Sequence, residues 1–141
     1  MDIFKPQAKV IANADYVSLL LGRGSCPPIL VEVDPSNACN HGCDFCLSSY
    51  VHSDRKMLDK ETLLRLCRDL NAVGAKAINW TGGGEPTTNP HLQDAIRFIG
   101  ENTNIKMGLF TNGTLLDRIA MAQSMSAASL TSGMTWAAAA K

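Results

Sequence analysis

Three cysteines lie within eight residues of the chain, at Cys39, Cys43 and Cys46. A loop this short can bring three sulfur atoms close together, and thiolates are the soft ligands that iron–sulfur clusters take. A [4Fe–4S] cluster usually has four cysteine ligands, so three of them leave one iron open to a substrate or cofactor. Phe45, beside the last cysteine, is predicted to shield one side of the cluster from solvent.

A second candidate region lies at residues 82–85, which read Gly-Gly-Gly-Glu. Glycines let the backbone approach a ligand closely because they carry no Cβ atom. The backbone carbonyls and the Glu85 carboxylate offer acceptors for a positively charged amino group. Glu85 could instead cap a turn or the following helix. A glycine-rich turn alone is weak support for a ligand site, but its position one strand after the cysteines strengthens it.

Two other interpretations of the cysteines stay open. The three thiols could bind zinc, with Cys26, His41 or His52 as the fourth ligand, although zinc motifs more often pair two separate Cys knuckles. Cys67 falls on an apolar helical stripe and is predicted to be a small core residue rather than a ligand.

The surrounding sequence alternates between short β-branched runs and helical apolar periodicity. The predicted strands span residues 29–34, 75–80 and 105–111. The predicted helices cover about residues 6–21, 59–73 and 89–99, and a further helix starts near residue 114. The first of these helices has Val10, Ala14, Val17 and Leu21 on one apolar face.

This order predicts an α/β fold in which an N-terminal helix precedes three strand–loop–helix units with parallel strands. The first strand is almost continuously apolar, so we expect it to be buried on both faces. Asp59 and Asn89 are predicted to cap the second and third helices, with Pro90 at the first helical position. Both candidate regions follow strands, at the edge where parallel α/β folds place their chemistry.

Composition narrows the class of protein. The chain has 141 residues, 45% of them apolar and 18% charged, with a formal net charge of zero. There is no long basic run, which disfavours nucleic acid as a partner. No apolar run approaches the roughly 18 residues of a membrane span, and the start does not resemble a signal peptide. We therefore expect a cytoplasmic protein whose five cysteines are metal or redox ligands rather than disulfides.

Three segments are expected. Residues 1–27 form a helix and lead-in, residues 28–120 form the main domain, and residues 121–141 form a tail dominated by Ala, Ser, Met and Thr that is disordered or helical.

The two motifs together resemble those of the radical S-adenosylmethionine (radical SAM) superfamily. The resemblance rests on Cys-x3-Cys-x2-Cys with an aromatic residue before the last cysteine, followed by a Gly-Gly-Glu-Pro strand end, and covers roughly residues 28–118. The sequence of residues 33–39 and 84–87 is most similar to that of the branch of peptide-modifying maturases and molybdopterin-precursor cyclases. Residues 111–113, Thr-Asn-Gly, match a common third-strand ending in that branch.

The resemblance implies two cofactors, a [4Fe–4S] cluster held by the three cysteines and SAM bound to the open iron. It implies that Gly83, Gly84 and Glu85 contact the SAM amino group, and that Thr111 and Asn112 face the SAM pocket. It also implies reductive cleavage of SAM to a 5′-deoxyadenosyl radical that abstracts hydrogen from a substrate. The expected partners are an electron donor of the flavodoxin or ferredoxin type and a peptide or small-molecule substrate.

The resemblance has one departure. The family fold is a (β/α)6 partial barrel, whereas this chain supplies about three units, so a partial barrel from a truncated protein is expected. Whether the chain is an enzyme stays open, because groups that later strands contribute to the SAM and substrate sites have no counterpart here. The alternatives are a non-catalytic remnant that only binds a cluster and a zinc-binding interaction module.

Overall fold

A three-stranded parallel sheet forms the centre of the protein. The computed structural model describes residues 11–48 and 54–116. The strands are β1 (Leu30–Val33), β2 (Ala77–Trp80) and β3 (Lys106–Leu109), in the order β1-β2-β3. The helices are α1 (Ala14–Arg23), α2 (Lys60–Ala72) and α3 (Leu92–Asn102). The predicted α/β fold with three parallel strands is therefore confirmed, with strands shorter than the apolar runs that indicated them. The start of the first predicted helix, most of the one near residue 114 and the predicted tail lie outside the described residues.

The apolar core lies between the sheet and helices α2 and α3. Each strand presents alternate side chains to the helices, and each helix presents the apolar stripe that its periodicity predicts. The most deeply buried members are Leu63, Cys67, Ile78, Trp80, Leu92, Ala95 and Ile99. The interpretation of Cys67 as a core residue is confirmed, and burial raises the pKa of its thiol to about 11.

The face of the sheet away from α2 and α3 shows that the predicted burial of β1 on both faces is wrong. The first strand was expected to be buried on both faces, but Leu30 is 49% exposed and Glu32 is exposed. The reason is that β1 is an edge strand, and α2 and α3 pack against one face of the sheet only. On the uncovered face Asn79 pairs in register with Gly108, and its Oδ1 atom lies 2.3 Å from where a Cβ on Gly108 would be. Gly108 thus makes room for Asn79.

Helix α1 docks through a different face from the one predicted. Leu21 is 82% exposed, and Tyr16 is the buried residue of the helix. The Tyr16 hydroxyl donates a hydrogen bond to the Gly74 carbonyl at 3.1 Å, and Lys76 Nζ lies 3.8 Å from the Tyr16 ring centroid. The sequence periodicity predicted that an aliphatic stripe would pack against the domain, but the helix packs through the Tyr16 ring. The Tyr16 hydroxyl bonds to the Gly74 carbonyl while its ring contacts the Lys76 ammonium group.

The cap of α2 is confirmed, because Asp59 accepts hydrogen bonds from the backbone N–H and the hydroxyl of Thr62. These bonds lower the pKa of Asp59 below its ordinary value of 3.8. A carboxyl whose pKa is lowered by folding stabilises the protein above its unfolded pKa, and this contribution is lost as pH falls through the folded pKa. We therefore expect Asp59→Ala to lower the melting temperature at pH 7, and the difference from wild type to shrink in melts recorded below pH 3.8. An equal difference at all pH values would contradict this origin.

The predicted cap of α3 is wrong. The helix begins at Leu92 and its N-cap residue is His91, which makes no side-chain cap bond. Asn89 lies before the helix, where its Oδ1 atom accepts the His91 N–H at 2.8 Å, and its buried side chain also makes the long-range bonds described below. Within the described residues, no helix has the length and apolar character that a membrane crossing requires.

Candidate functional site

The loops that follow the three strands meet at one edge of the sheet. We call them the cysteine loop (residues 34–48), the glycine loop (residues 81–85) and the β3 loop (residues 110–114). Together they line a cavity of about 240 Å³. Its walls are formed by Cys39, His41, Cys43, Phe45, Thr81, Gly82, Gly84, Glu85, Phe110, Thr111 and Asn112. Parallel strands bring their carboxyl ends together, which explains why distant motifs share one cavity.

The three cysteines of the motif form no disulfide bond and are partly buried. Cys39 and Cys43 line the cavity. The Cys46 backbone N–H donates to the Cys43 carbonyl at 3.1 Å, so the second half of the motif forms a turn. The His41 backbone N–H donates to Cys39 Sγ at 3.4 Å. A backbone N–H aimed at a sulfur is one of the features that tune an iron–sulfur ligand.

The donor set can be compared with the needs of a single metal ion and of an iron–sulfur cluster. Within residues 11–48 and 54–116, no group of three His, Cys, Asp or Glu side chains is arranged to hold one ion. A [4Fe–4S] cluster would bind each cysteine through a separate iron, and the cysteine loop carries three thiols, of which Cys39 and Cys43 line the cavity. The zinc alternative has no such group in the described structure, and His52 lies outside it. Phe45, predicted to shield the cluster, lies on the cavity wall but is 73% exposed.

The glycines of the second motif allow the glycine loop to pack against the backbone of the cysteine loop. A Cβ on Gly84 would lie 2.2 Å from the Ala38 carbonyl oxygen, and one on Gly82 would lie 3.2 Å from the Ser36 carbonyl oxygen. The Gly84 N–H donates to the Ser36 carbonyl at 3.0 Å, and the Glu85 N–H to the Ala38 carbonyl at 2.9 Å. The glycine loop therefore lies directly against the backbone that leads into the cysteines.

Glu85 joins the glycine loop to the β3 loop. Its side chain is only 3% exposed, although it lines the cavity. Oε1 accepts hydrogen bonds from the N–H and hydroxyl of Thr87 and, at 2.6 Å, from the Thr111 hydroxyl. Oε2 accepts the Asn112 N–H at 2.7 Å. A carboxylate has about four acceptor positions, so Oε2 is the oxygen with capacity for a further donor. The alternative role of Glu85 as a cap is confirmed, since it is the N-cap of a 3₁₀ turn at Pro86–Thr88.

Thr111 and Asn112 lie on the cavity wall, as their place after β3 predicts. The Asn112 Nδ2 atom lies 2.8 Å from Asn40 Oδ1 and 3.1 Å from His41 Nδ1. Its Oδ1 atom accepts from the N–H of Thr114 at 3.1 Å and from the Thr114 hydroxyl at 2.7 Å. The side chain that was predicted to face a cofactor thus also contacts the cysteine loop. Contact of either residue with SAM stays a prediction.

Asn89 is a structural residue of the site that the sequence did not reveal. It is 2% exposed, and its Nδ2 atom donates to the Pro35 carbonyl at 2.7 Å and to the Leu58 carbonyl at 2.9 Å. It therefore holds the start of the cysteine loop against the segment before α2. The pair Asn89-Pro90 resembled a helix start, and this local pattern gave no indication that Asn89 also bonds to Pro35 and Leu58.

We expect Asn89→Asp to destabilise the fold by about 3 kcal/mol at neutral pH, because a buried carboxylate would face two carbonyl oxygens and would remove the side-chain donor from each. Urea unfolding followed by circular dichroism measures this change. Asn104→Asp, at an exposed loop position, is the control and should cost little. Equal effects at the two positions would contradict the clamp.

Comparison with known proteins agrees with this geometry. The family model described as the radical SAM superfamily matches residues 33–132. A GTP 3′,8-cyclase of Chlorobaculum tepidum is 32% identical over 89 residues, which are 62% of this chain and 27% of the cyclase. A tungsten-containing aldehyde ferredoxin oxidoreductase cofactor-modifying protein of Pyrococcus furiosus is 28% identical over 82 residues, 57% of this chain and 23% of that protein. The chain therefore spans about a quarter of the length of these relatives.

Solved structures share the fold. SuiB of Streptococcus suis, bound to the precursor peptide SuiA, superposes with a TM-score of 0.63 at 21% identity, covering 89% of this chain and 28% of SuiB. BtrN in complex with AdoMet and 2-DOIA gives a TM-score of 0.55 at 19% identity, covering 69% of this chain and 42% of BtrN. The predicted similarity to cyclases and peptide-modifying proteins is confirmed by these relatives. Because the family model matches well over half of the sequence, this chain belongs to the radical SAM superfamily.

Proposed function

We propose that the chain binds a [4Fe–4S] cluster through Cys39, Cys43 and Cys46 and SAM in the adjoining cavity, and that it takes part in reductive cleavage of SAM. One observation carries the proposal. The cysteine loop, the glycine loop and the β3 loop, which are far apart in sequence, line a single cavity whose walls include the thiols of Cys39 and Cys43 and the buried carboxylate of Glu85. A bound cluster and SAM together would supply one-electron chemistry leading to hydrogen abstraction, which no side chain of the protein can provide.

The protein's own groups would bind and orient the cofactors. Glu85 Oε2 has acceptor capacity left beside its bond from the Asn112 N–H, so it suits the ammonium group of an amino acid such as the methionine part of SAM. The close fit of Gly84 against the cysteine loop holds that carboxylate at a fixed distance from the thiols. Phe45 and Phe110 add apolar surface to the cavity wall.

Partners and substrate follow from the same proposal. Reductive cleavage needs an electron, for which a flavodoxin- or ferredoxin-type protein is the proposed donor. Relatives named as a GTP 3′,8-cyclase and a protein bound to a precursor peptide support a small molecule or a peptide as the substrate class. Five cysteines that form no disulfide bond suit a reducing compartment such as the cytoplasm.

Anaerobic reconstitution tests the function. The purified chain is incubated with iron and sulfide, reduced with dithionite, mixed with SAM and assayed for 5′-deoxyadenosine by chromatography. We expect cluster absorbance and product. A cluster without product would restrict the function to cluster binding, and zinc uptake without iron uptake would favour the interaction module.

A further inference from the structure

The polar contacts between the β3 loop and the cysteine loop point to a role for Asn112 beyond lining the cavity. Asn40 and His41 are the two residues that follow the first cysteine of the motif. Both accept from one donor group, the Asn112 Nδ2. We propose that the Asn112 side chain is a positioning residue that fixes the Asn40–His41 segment, and through it the Cys39 thiol, relative to the cavity.

The hydrogen bonds that hold Asn112 itself support this assignment. The backbone of Asn112 is held by Glu85, since its N–H donates to Oε2 at 2.7 Å. The Thr114 N–H and hydroxyl then fix the amide orientation by donating to Asn112 Oδ1, which leaves the NH₂ group facing the cysteine loop. Because the Asn112 backbone is held by Glu85 and its Oδ1 atom is held by Thr114, its Nδ2 atom can fix the position of Asn40 and His41.

The cysteine loop needs such support from outside. The described bonds within residues 39–46 include the turn at Cys46 and the contact of the His41 N–H with Cys39 Sγ, and a contact to sulfur is weak. The Asn40 Nδ2 atom adds one more bond across the loops, donating to the Thr114 hydroxyl at 2.7 Å. The β3 loop therefore supplies the hydrogen bonds that orient the segment next to Cys39.

Substitutions of Asn40 and Asn112 separate the contacts. Asn112→Asp keeps the acceptor for Thr114 but removes the donor to Asn40 and His41. Asn40→Ala removes the acceptor for Asn112 and the donor to Thr114, whereas Asn40→Asp loses only the donor and adds the same charge as Asn112→Asp. The proposal expects Asn112→Asp and Asn40→Ala to behave alike, and Asn40→Asp to lie closer to wild type than either. The double variant Asn40→Ala/Asn112→Asp should be little worse than either single variant.

The first measurement is made on the metal-free chain, so it does not rely on the proposed function. Amide hydrogen exchange of peptides covering residues 39–46 is recorded by quenched-flow mass spectrometry. Loss of the one or two hydrogen bonds should speed exchange about tenfold in Asn112→Asp and Asn40→Ala, with the α2 and α3 peptides unchanged. Exchange in this loop equal to that of Asn40→Asp, or faster exchange throughout the chain, would overturn the proposal.

The second measurement rests on the proposed function. In the reconstituted protein, iron release to a chelator should be about tenfold faster for the same two variants, and the electron paramagnetic resonance signal of the reduced cluster should broaden. If wild type takes up no cluster, the proposed function fails while the exchange experiment still decides the role of Asn112. If wild type and both variants release iron equally, the positioning role fails.

Discussion

Replacing Cys43 with alanine is expected to abolish stable iron–sulfur incorporation, whereas wild type should bind about four iron atoms per chain. Cys43 lies on the cavity wall with a free, partly buried thiol. With two thiolates left, the cluster would have two irons without a protein ligand, and we expect it to be lost on desalting. Iron and sulfide assays with the absorbance spectrum after reconstitution measure the result. Cys39→Ala and Cys46→Ala should give the same loss.

The other two cysteines are matched controls. Cys26 is exposed and lies before β1, so Cys26→Ala should incorporate as much iron as wild type. Cys67 is fully buried in α2, and its thiol, with a pKa of about 11, stays protonated at neutral pH. Cys67→Ala should therefore lower stability by the loss of a small buried group without changing the iron content. Iron retention by Cys43→Ala, or its loss in Cys26→Ala, would overturn the ligand assignment.

Gly84→Ala is expected to destabilise the fold strongly. Its Cβ would lie 2.2 Å from the Ala38 carbonyl oxygen and 2.6 Å from the Ala38 carbonyl carbon. Both are backbone atoms that cannot move aside without breaking the hydrogen bonds between the glycine loop and the cysteine loop. We expect a loss of about 3 kcal/mol, or roughly 10 °C in the melting temperature of the metal-free chain.

Three other glycines make this prediction specific. A Cβ on Gly22 or Gly42 would have no atom within 4 Å, so Gly22→Ala and Gly42→Ala should melt within a few degrees of wild type. A Cβ on Gly83 would lie 3.1 Å from the Asn37 side chain, which can adjust, so an intermediate effect is expected. Equal melting temperatures for Gly84→Ala and Gly42→Ala would show that the loops do not pack as described.

The sequence by itself determined the chemistry that is available and the order of the elements. The spacing of Cys39, Cys43 and Cys46 predicts three soft metal ligands in one loop. The alternation of short apolar runs with helical periodicity predicts the parallel sheet. Both signals are local, because metal-ligand spacing and amphipathic period are properties of neighbouring residues. The cap at Asp59 was predictable for the same reason.

The tertiary structure decided what these residues do to one another. Gly84 is required by the backbone of Ala38, and Glu85 is bonded by Thr111 and Asn112. Asn89 clamps the start of the cysteine loop in addition to accepting the His91 N–H before α3. The exposure of one face of β1 likewise depends on which strands and helices flank it. Such contacts join residues dozens of positions apart, and local sequence patterns carry no information about them. The cysteine motif could therefore be read from the sequence, whereas the network that positions it exists only in the folded chain.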